Sequence, residues 1–315
     1  HDLLQSNFLN ELPLERFGID LAKVVEIIAG APSRVGAFIS TLLELSRNYA
    51  LRQEHFYFSA LRSYLELNNN YFEELENAVD KFVAECQLLA IRPIPGEHLR
   101  NILEEKYDYI VHENGLDRYP ELQHLRSLFI PKRKELLLSS KLSAIQRAFE
   151  YGKELGFQYL NIKERAYTSS ILRGRSFEEV LNHSKAIYFS VALHLPLQSV
   201  IQDMEFFFQH NKWNGEALQN IMLKYDATPE MFYHRLTNVL PRFFGIRKMF
   251  FLRFVHDPIK GTFDVDKELH LNHKHHPHGN GIYEHYCRRW ISIALLQELF
   301  QLKQAGHPSD LLISA

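Results

Sequence analysis

The sequence has 315 residues, 46% of them hydrophobic and 23% charged, which excludes a disordered or low-complexity chain and suggests two or three domains. Lys and Arg number 36 against 38 Asp and Glu, a net charge of −2 that excludes a wholly basic nucleic-acid coat. Two cysteines, Cys86 and Cys287, cannot staple a chain of this size, so a reducing, cytoplasmic setting is expected, while 17 histidines form a surplus that calls for a use.

Residues 1–92 read as a helical region suited to linking or dimerisation. Ala31-Pro32-Ser33 offers a start for a helix to Leu51, with Ser33 as N-cap. A second pattern places Phe56, Leu61, Tyr64 and Leu65 near one face. A third places Phe72, Leu75, Val79, Phe82, Val83 and Cys86 at three- and four-residue steps, which makes Cys86 a packing residue. The break at Arg92-Pro93-Ile94-Pro95-Gly96 is the expected boundary to a second domain, 97–200, followed by a third, 201–315.

Past that boundary, Tyr107–Val111, Leu125–Ile130 and Glu135–Leu138 read as short strands, and a long helix follows from Leu142 to Leu160. Ser176 and Glu179 form a capping box in which Glu179 is expected to reach back to the Ser176 amide. The helix they open should run to Leu195, where Pro196 forces an exit. Thr228 and Pro229 start another helix as cap and first residue. Met249–Val255 reads as a strand, followed by a Gly-, His- and Asn-rich loop and a last amphipathic helix from Trp290 to Gln301. Phe206-Phe207-Phe208, Trp213 and Trp290 read as packing residues. The fold class is α+β, predominantly α. The longest apolar stretch, Ala186–Leu197, falls short of the ~18 residues of a membrane span, so no membrane partner is expected.

Charge is unevenly distributed: residues 1–130 carry −8, residues 131–175 carry +6, and the remainder is neutral. The basic segment reads either as a solvated helix face or as a place for an anionic ligand.

The stretch Gln146–Leu160, with Tyr151-Gly152-Lys153-Glu154-Leu155-Gly156-Phe157 at its centre, resembles the active-site helix of ImmA/IrrE metallopeptidase-like domains. The likeness implies a His-Glu-x-x-His motif, in which two imidazoles one turn apart share a zinc and the Glu activates its water. Here the His positions are Lys153 and Phe157, and only Glu154 remains. The stretch Lys185–Pro196 resembles the family's next helix, with Lys185 where a zinc-binding Glu would stand. A protonated Lys cannot ligate zinc and Phe has no donor atom, so a peptidase fold without its metal, cofactor or catalysis is expected. His183 alone does not restore a site.

Further residues narrow the resemblance. Tyr225–Asn238, containing His234-Arg235-Leu236-Thr237, is similar to a segment of the short-chain fatty acyl regulators, the RamB/PrpR-type members of the XRE transcription factors. Gly245, Phe250-Phe251-Leu252-Arg253 and Cys287-Arg288-Arg289-Trp290 follow in the family's order, and Arg62–Leu67 with Asn70–Glu76 match its helical linker. The likeness covers about residues 55–295. It implies a DNA-binding regulator, a homodimer that senses acyl-CoA or a related fatty-acid metabolite. Its helix-turn-helix would precede the present first residue, His1, so the sequence reads as a fragment. Some members hold an iron–sulfur cluster through several cysteines; with Cys287 alone in the C-terminal half, none is expected here.

Candidate effector-binding residues are Arg147, Lys153, Glu154, Arg173, Arg175 and Lys185, with Arg235, Arg247 and Arg253 behind them. Lys153 and Lys185 would repel across a cleft unless an anion or Glu154 lay between, which predicts either a Lys153–Glu154–Lys185 cluster or an anion site. A separate reading uses the histidine surplus. Six His fall between His270 and His285, and a metal-responsive protein would use His273, His275, His276, His278 and His285 with Cys287. The competing reading of that segment is a polar loop with a turn at Asn280-Gly281.

Overall fold

The computed structural model describes residues 53–169, 175–210, 212–257, 262–270 and 291–306. The expected helix from Ser33 to Leu51, and the segment from His273 to Trp290, lie outside the described residues. The fold is α+β and mostly helical. Contacts divide it into two units, residues 1–68 with 72–193 and residues 69–71 with 194–315.

The first unit begins with helix α1 (Gln53–Leu67), α2 (Glu73–Glu85) and α3 (Gly96–Tyr107). On α2 the expected stripe is buried at Leu75, Val79, Phe82 and Val83, while Cys86 caps the C-terminal end half-buried. Three strands follow: β1 (Ile110–His112), β2 (Ser127–Ile130) and β3 (Glu135–Leu138). Their order is β1-β3-β2, with β3 parallel to β1 and antiparallel to β2. The β2–β3 turn places Lys134 at φ 53°, and its ammonium reaches Asp108 at 3.0 Å.

Helix α4 (Ala144–Tyr159) opens on a capping box that the sequence reading missed. The Gln146 amide donates to Ser143 Oγ at 3.4 Å, and the Ser143 amide donates to Gln146 Oε1 at 3.0 Å. Helix α5 (Phe177–His194) begins as expected with the Glu179 amide donating to Ser176 Oγ at 3.0 Å. The other half of that expected box differs, because the Glu179 carboxylate takes the Arg175 amide at 2.8 Å rather than that of Ser176. One buried core joins these elements: Phe82 of α2, Leu99 and Leu103 of α3, Leu136 and Leu138 of β3, Leu155 of α4 and Phe189 of α5. Gly156 lets α4 and α5 approach closely, since a Cβ there would stand 3.0 Å from Phe189 Cβ.

The second unit contains α6 (Leu197–Phe208), α7 (Gly215–Lys224), α8 (Pro229–Phe243), an antiparallel hairpin of β4 (Phe250–Asp257) and β5 (Thr262–His270), and α9 (Ile291–Gln304). Thr228 caps α8 by accepting from the Met231 amide at 3.2 Å, with Pro229 at its first position. Strand β5 was not expected, since residues 262–270 read as the start of a loop; a hairpin partner is set by pairing with β4, which its own residues do not announce. The aromatic run also differs from expectation. Successive helical residues point about 100° apart, so Phe207 is buried while Phe206 and Phe208 are exposed; Trp213, past the end of α6, is exposed too. Among the described residues no helix is long and apolar enough to cross a membrane.

Candidate functional site

The helix that resembles a peptidase active-site helix is α4, and its middle is buried from Glu150 to Phe157. Four charged side chains meet there: Glu150, Lys153 and Glu154, each 1% exposed, and Arg165 at 7%, from the connection between α4 and α5. Charges at that depth must be matched, because an unpaired one costs several kcal/mol. The structure matches them in two pairs.

In the first pair, Lys153 Nζ lies 2.5 Å from Glu150 Oε2, one turn back along α4. Ser127 of β2 donates its hydroxyl to the same carboxylate oxygen at 2.6 Å, and the Ser169 carbonyl lies 3.4 Å from the Lys153 ammonium. In the second pair, Arg165 donates NH2 to Glu154 Oε1 at 2.6 Å and NH1 to Glu154 Oε2 at 2.8 Å. This is the bidentate arrangement in which a guanidinium holds a carboxylate most tightly. Tyr109 adds its hydroxyl to Glu154 Oε2 at 3.1 Å, and Gln158 donates to the Tyr109 oxygen at 2.7 Å.

The guanidinium is also clasped by rings. Its carbon stands 3.6 Å from the centre of the Phe157 ring, 5.1 Å from that of Phe129 and 5.7 Å from that of Tyr167. Burial alone would pull the Arg165 pKa down, but the adjacent Glu154 carboxylate outweighs it and the group is held above its ordinary value. Tyr109 is driven up by burial first and by Glu154 second, so its hydroxyl stays a donor.

Of the expected Lys153–Glu154–Lys185 cluster, Lys153 and Glu154 take other partners. Lys153 and Glu154 are successive residues with separate partners, Glu150 and Arg165. The sequence showed Glu150 in ion-pairing distance of Lys153 along a helix, an i,i+3 spacing. Arg165 carries no such signal, because it lies in a connection after the helix has ended.

The other candidates fall as follows. Arg147, in the first turn of α4, donates to the Leu142 carbonyl at 2.9 Å and stands 3.9 Å from Glu113. Arg175 is exposed ahead of α5, Lys185 is half-buried on α5, and Arg173 lies outside the described residues. In the second unit, Arg235 is fully buried and donates to the Leu195 carbonyl at 2.9 Å, Arg253 pairs with Glu230, and Arg247 is exposed. His273, His275, His276, His278, His285 and Cys287 lie outside the described residues, and of His270 only its place on β5 is described.

At the three ligand positions that the resemblance implies, the residues do not fit zinc. An ammonium committed to Glu150 stands at one ligand position, an aromatic ring covered by a guanidinium at the next, and Lys185 at the third. His183 of α5 brings an imidazole to 6.0 Å from the Phe157 ring centre, and one imidazole does not make a ligand set. Among the described residues no three His, Cys, Asp or Glu side chains gather where they could hold a metal ion. Glu154, the residue that would activate water, has both oxygens taken by the Arg165 fork.

The class defined by this geometry is an α+β, mainly helical protein whose buried helix α4 carries a closed ionic cluster. A solved structure described as a Mycobacterium tuberculosis transcriptional regulator is similar to it, at 17% identity with a TM-score of 0.51, over 76% of this chain and 67% of that one. Neither a family model nor a curated protein matches the chain. The structural likeness shows a shared fold.

Proposed function

We propose that this chain is the effector-binding, non-enzymatic part of a DNA-binding transcriptional regulator. The observation that carries the reading is the commitment of Glu154 to Arg165 in place of water activation, at a site where Lys153 and Phe157 have replaced ligands. The fold likeness to a protein described as a transcriptional regulator supports the same direction.

The effector is a short-chain acyl-CoA or a related fatty-acid metabolite. This rests on the ordered likeness of His234-Arg235-Leu236-Thr237, Gly245 and Phe250–Arg253 to the short-chain fatty acyl regulators. Because Lys153 and Arg165 are already matched to carboxylates, phosphate contacts fall to cations outside the buried cluster, with exposed Arg175 the first to test. DNA contact belongs to a helix-turn-helix domain outside this sequence, and the protein acts as a homodimer. An effector that binds one arrangement of the protomers better than another shifts the population toward it.

Calorimetric titration with acyl-CoAs of increasing chain length tests the reading. Saturable heat with a short-chain member, and less with free coenzyme A, is expected. No heat and no thermal shift with any of them contradicts it.

A further inference from the structure

Strand β2 lies at the edge of its sheet, with β3 on one side only. An edge presents backbone donors and acceptors to any extended chain that comes alongside. In this protein the chain alongside is its own. The Phe129 amide donates to the Tyr167 carbonyl at 2.8 Å, the Ser169 amide donates to the Ser127 carbonyl at 2.9 Å, and Leu128 bridges Thr168 in antiparallel sense. The Arg126 amide adds a bond to Ser169 Oγ at 2.9 Å.

Just ahead of that backbone pairing, Arg165 enters the pocket formed by Glu154, Phe157 and Phe129. The division of labour is that of strand addition: main-chain bonds supply sequence-independent affinity, and one side chain in a pocket supplies selectivity. The receiving half also has contacts of its own. Tyr109 stacks on Phe129 at 4.7 Å between ring centres, Gln158 fixes the Tyr109 hydroxyl, and Leu136, Leu138 and Leu155 hold the sheet against α4.

We propose that residues 165–169 are an intramolecular ligand, filling a site whose chemistry is that of a receptor for an extended peptide bearing an arginine. In the resting chain the site is closed in cis. Tethering gives such a segment an effective concentration on the order of millimolar, so a free peptide competes poorly until the cis segment is weakened. The partner is therefore an extended, arginine-bearing segment of a protein, engaged when residues 165–169 leave the β2 edge. This adds a peptide site to the acyl-CoA reading and does not depend on it, because its readout contains no coenzyme A.

The test uses the full 315-residue chain and a fluorescent peptide of its own residues 163–169. It is titrated by anisotropy into wild type, Arg165→Ala and Ser169→Pro. The Ser169→Pro variant keeps the ion pair but removes the amide that donates to Ser127. Both variants should bind the peptide at least tenfold more tightly than wild type. Replacing the peptide's arginine by citrulline, its neutral isostere, should cost at least tenfold. Should Arg165→Ala unfold, Ser169→Pro decides alone. Folded variants that bind neither peptide, or bind the arginine and citrulline forms equally, overturn the proposal.

Discussion

Arg165→Ala should strongly destabilise the first unit. It leaves Glu154, 1% exposed, with the Tyr109 hydroxyl as its remaining hydrogen-bond donor among the interactions described above. Removing one partner of a buried pair costs about 3–5 kcal/mol, because the other charge stays uncompensated. The loss falls toward the upper end, since the guanidinium also lies 3.6 Å over the Phe157 ring, and a desolvated cation–π contact contributes about 1–2 kcal/mol. Replacing both partners, as Glu154→Gln with Arg165→Met, removes the stranded charge and should cost less than either Arg165→Ala or Glu154→Ala alone. The measurement is urea unfolding followed by far-ultraviolet circular dichroism, because residues 72–193 of the first unit contain no tryptophan. A loss below about 1 kcal/mol for Arg165→Ala, the worth of a solvated surface pair, would refute the reasoning: Glu154 would then be hydrated, and its pairing incidental.

Three further outcomes follow from the same geometry. Gly156→Ala gains about 1 kcal/mol of helix propensity but drives a Cβ to 3.0 Å from Phe189 Cβ, and overpacking of about 1–3 kcal/mol should make it net destabilising in urea; a gain in stability contradicts the close approach of α4 and α5. Burial first, and Glu85 second, push the Tyr159 phenol up from 10.0 to about 12, and Tyr109, Tyr151 and Tyr225 are raised in the same direction. Their neutral forms are favoured by folding, so this contribution is whole below pH 10.0 and is lost as the pH rises through the folded values. Alkaline unfolding with late, cooperative phenolate absorbance is expected, and full ionisation near 10 before unfolding would contradict it. Restoring the ligand pattern with Lys153→His, Phe157→His and Lys185→Glu should not give tight zinc binding until Arg165→Ala is added, with at least a tenfold gain on that fourth change. Equal zinc affinity for the triple and quadruple variants, measured against a chromogenic chelator, would show that the guanidinium does not obstruct the site.

The parts of the fold that the sequence disclosed are those whose signal is local. Periodicity marks α2, the Ser176 cap and the Pro196 exit mark α5, the Thr228-Pro229 start marks α8, and the strand expected at Glu135–Leu138 has the boundaries of β3. The capping box at Ser143 is equally local. Strand β5 depends on a partner across a hairpin, and the exposure of Phe206 and Phe208 depends on which face of α6 is covered. The site divides in the same way. The departure of Lys153 and Phe157 from a His-Glu-x-x-His pattern is visible, since the motif has fixed spacing. The cluster found there is not, because Arg165 reaches Glu154 from beyond the end of the helix and Tyr109 from before the sheet begins. A buried ionic cluster is defined by tertiary proximity, and that is the information a linear spacing rule lacks.

The central claim is that Glu154 has exchanged water activation for a structural bond to Arg165. A peptidase assay of the zinc-supplemented chain beside its Glu154→Gln variant tests this most directly. No turnover above blank is predicted for either protein. Turnover by the wild-type chain that Glu154→Gln abolishes would contradict the account.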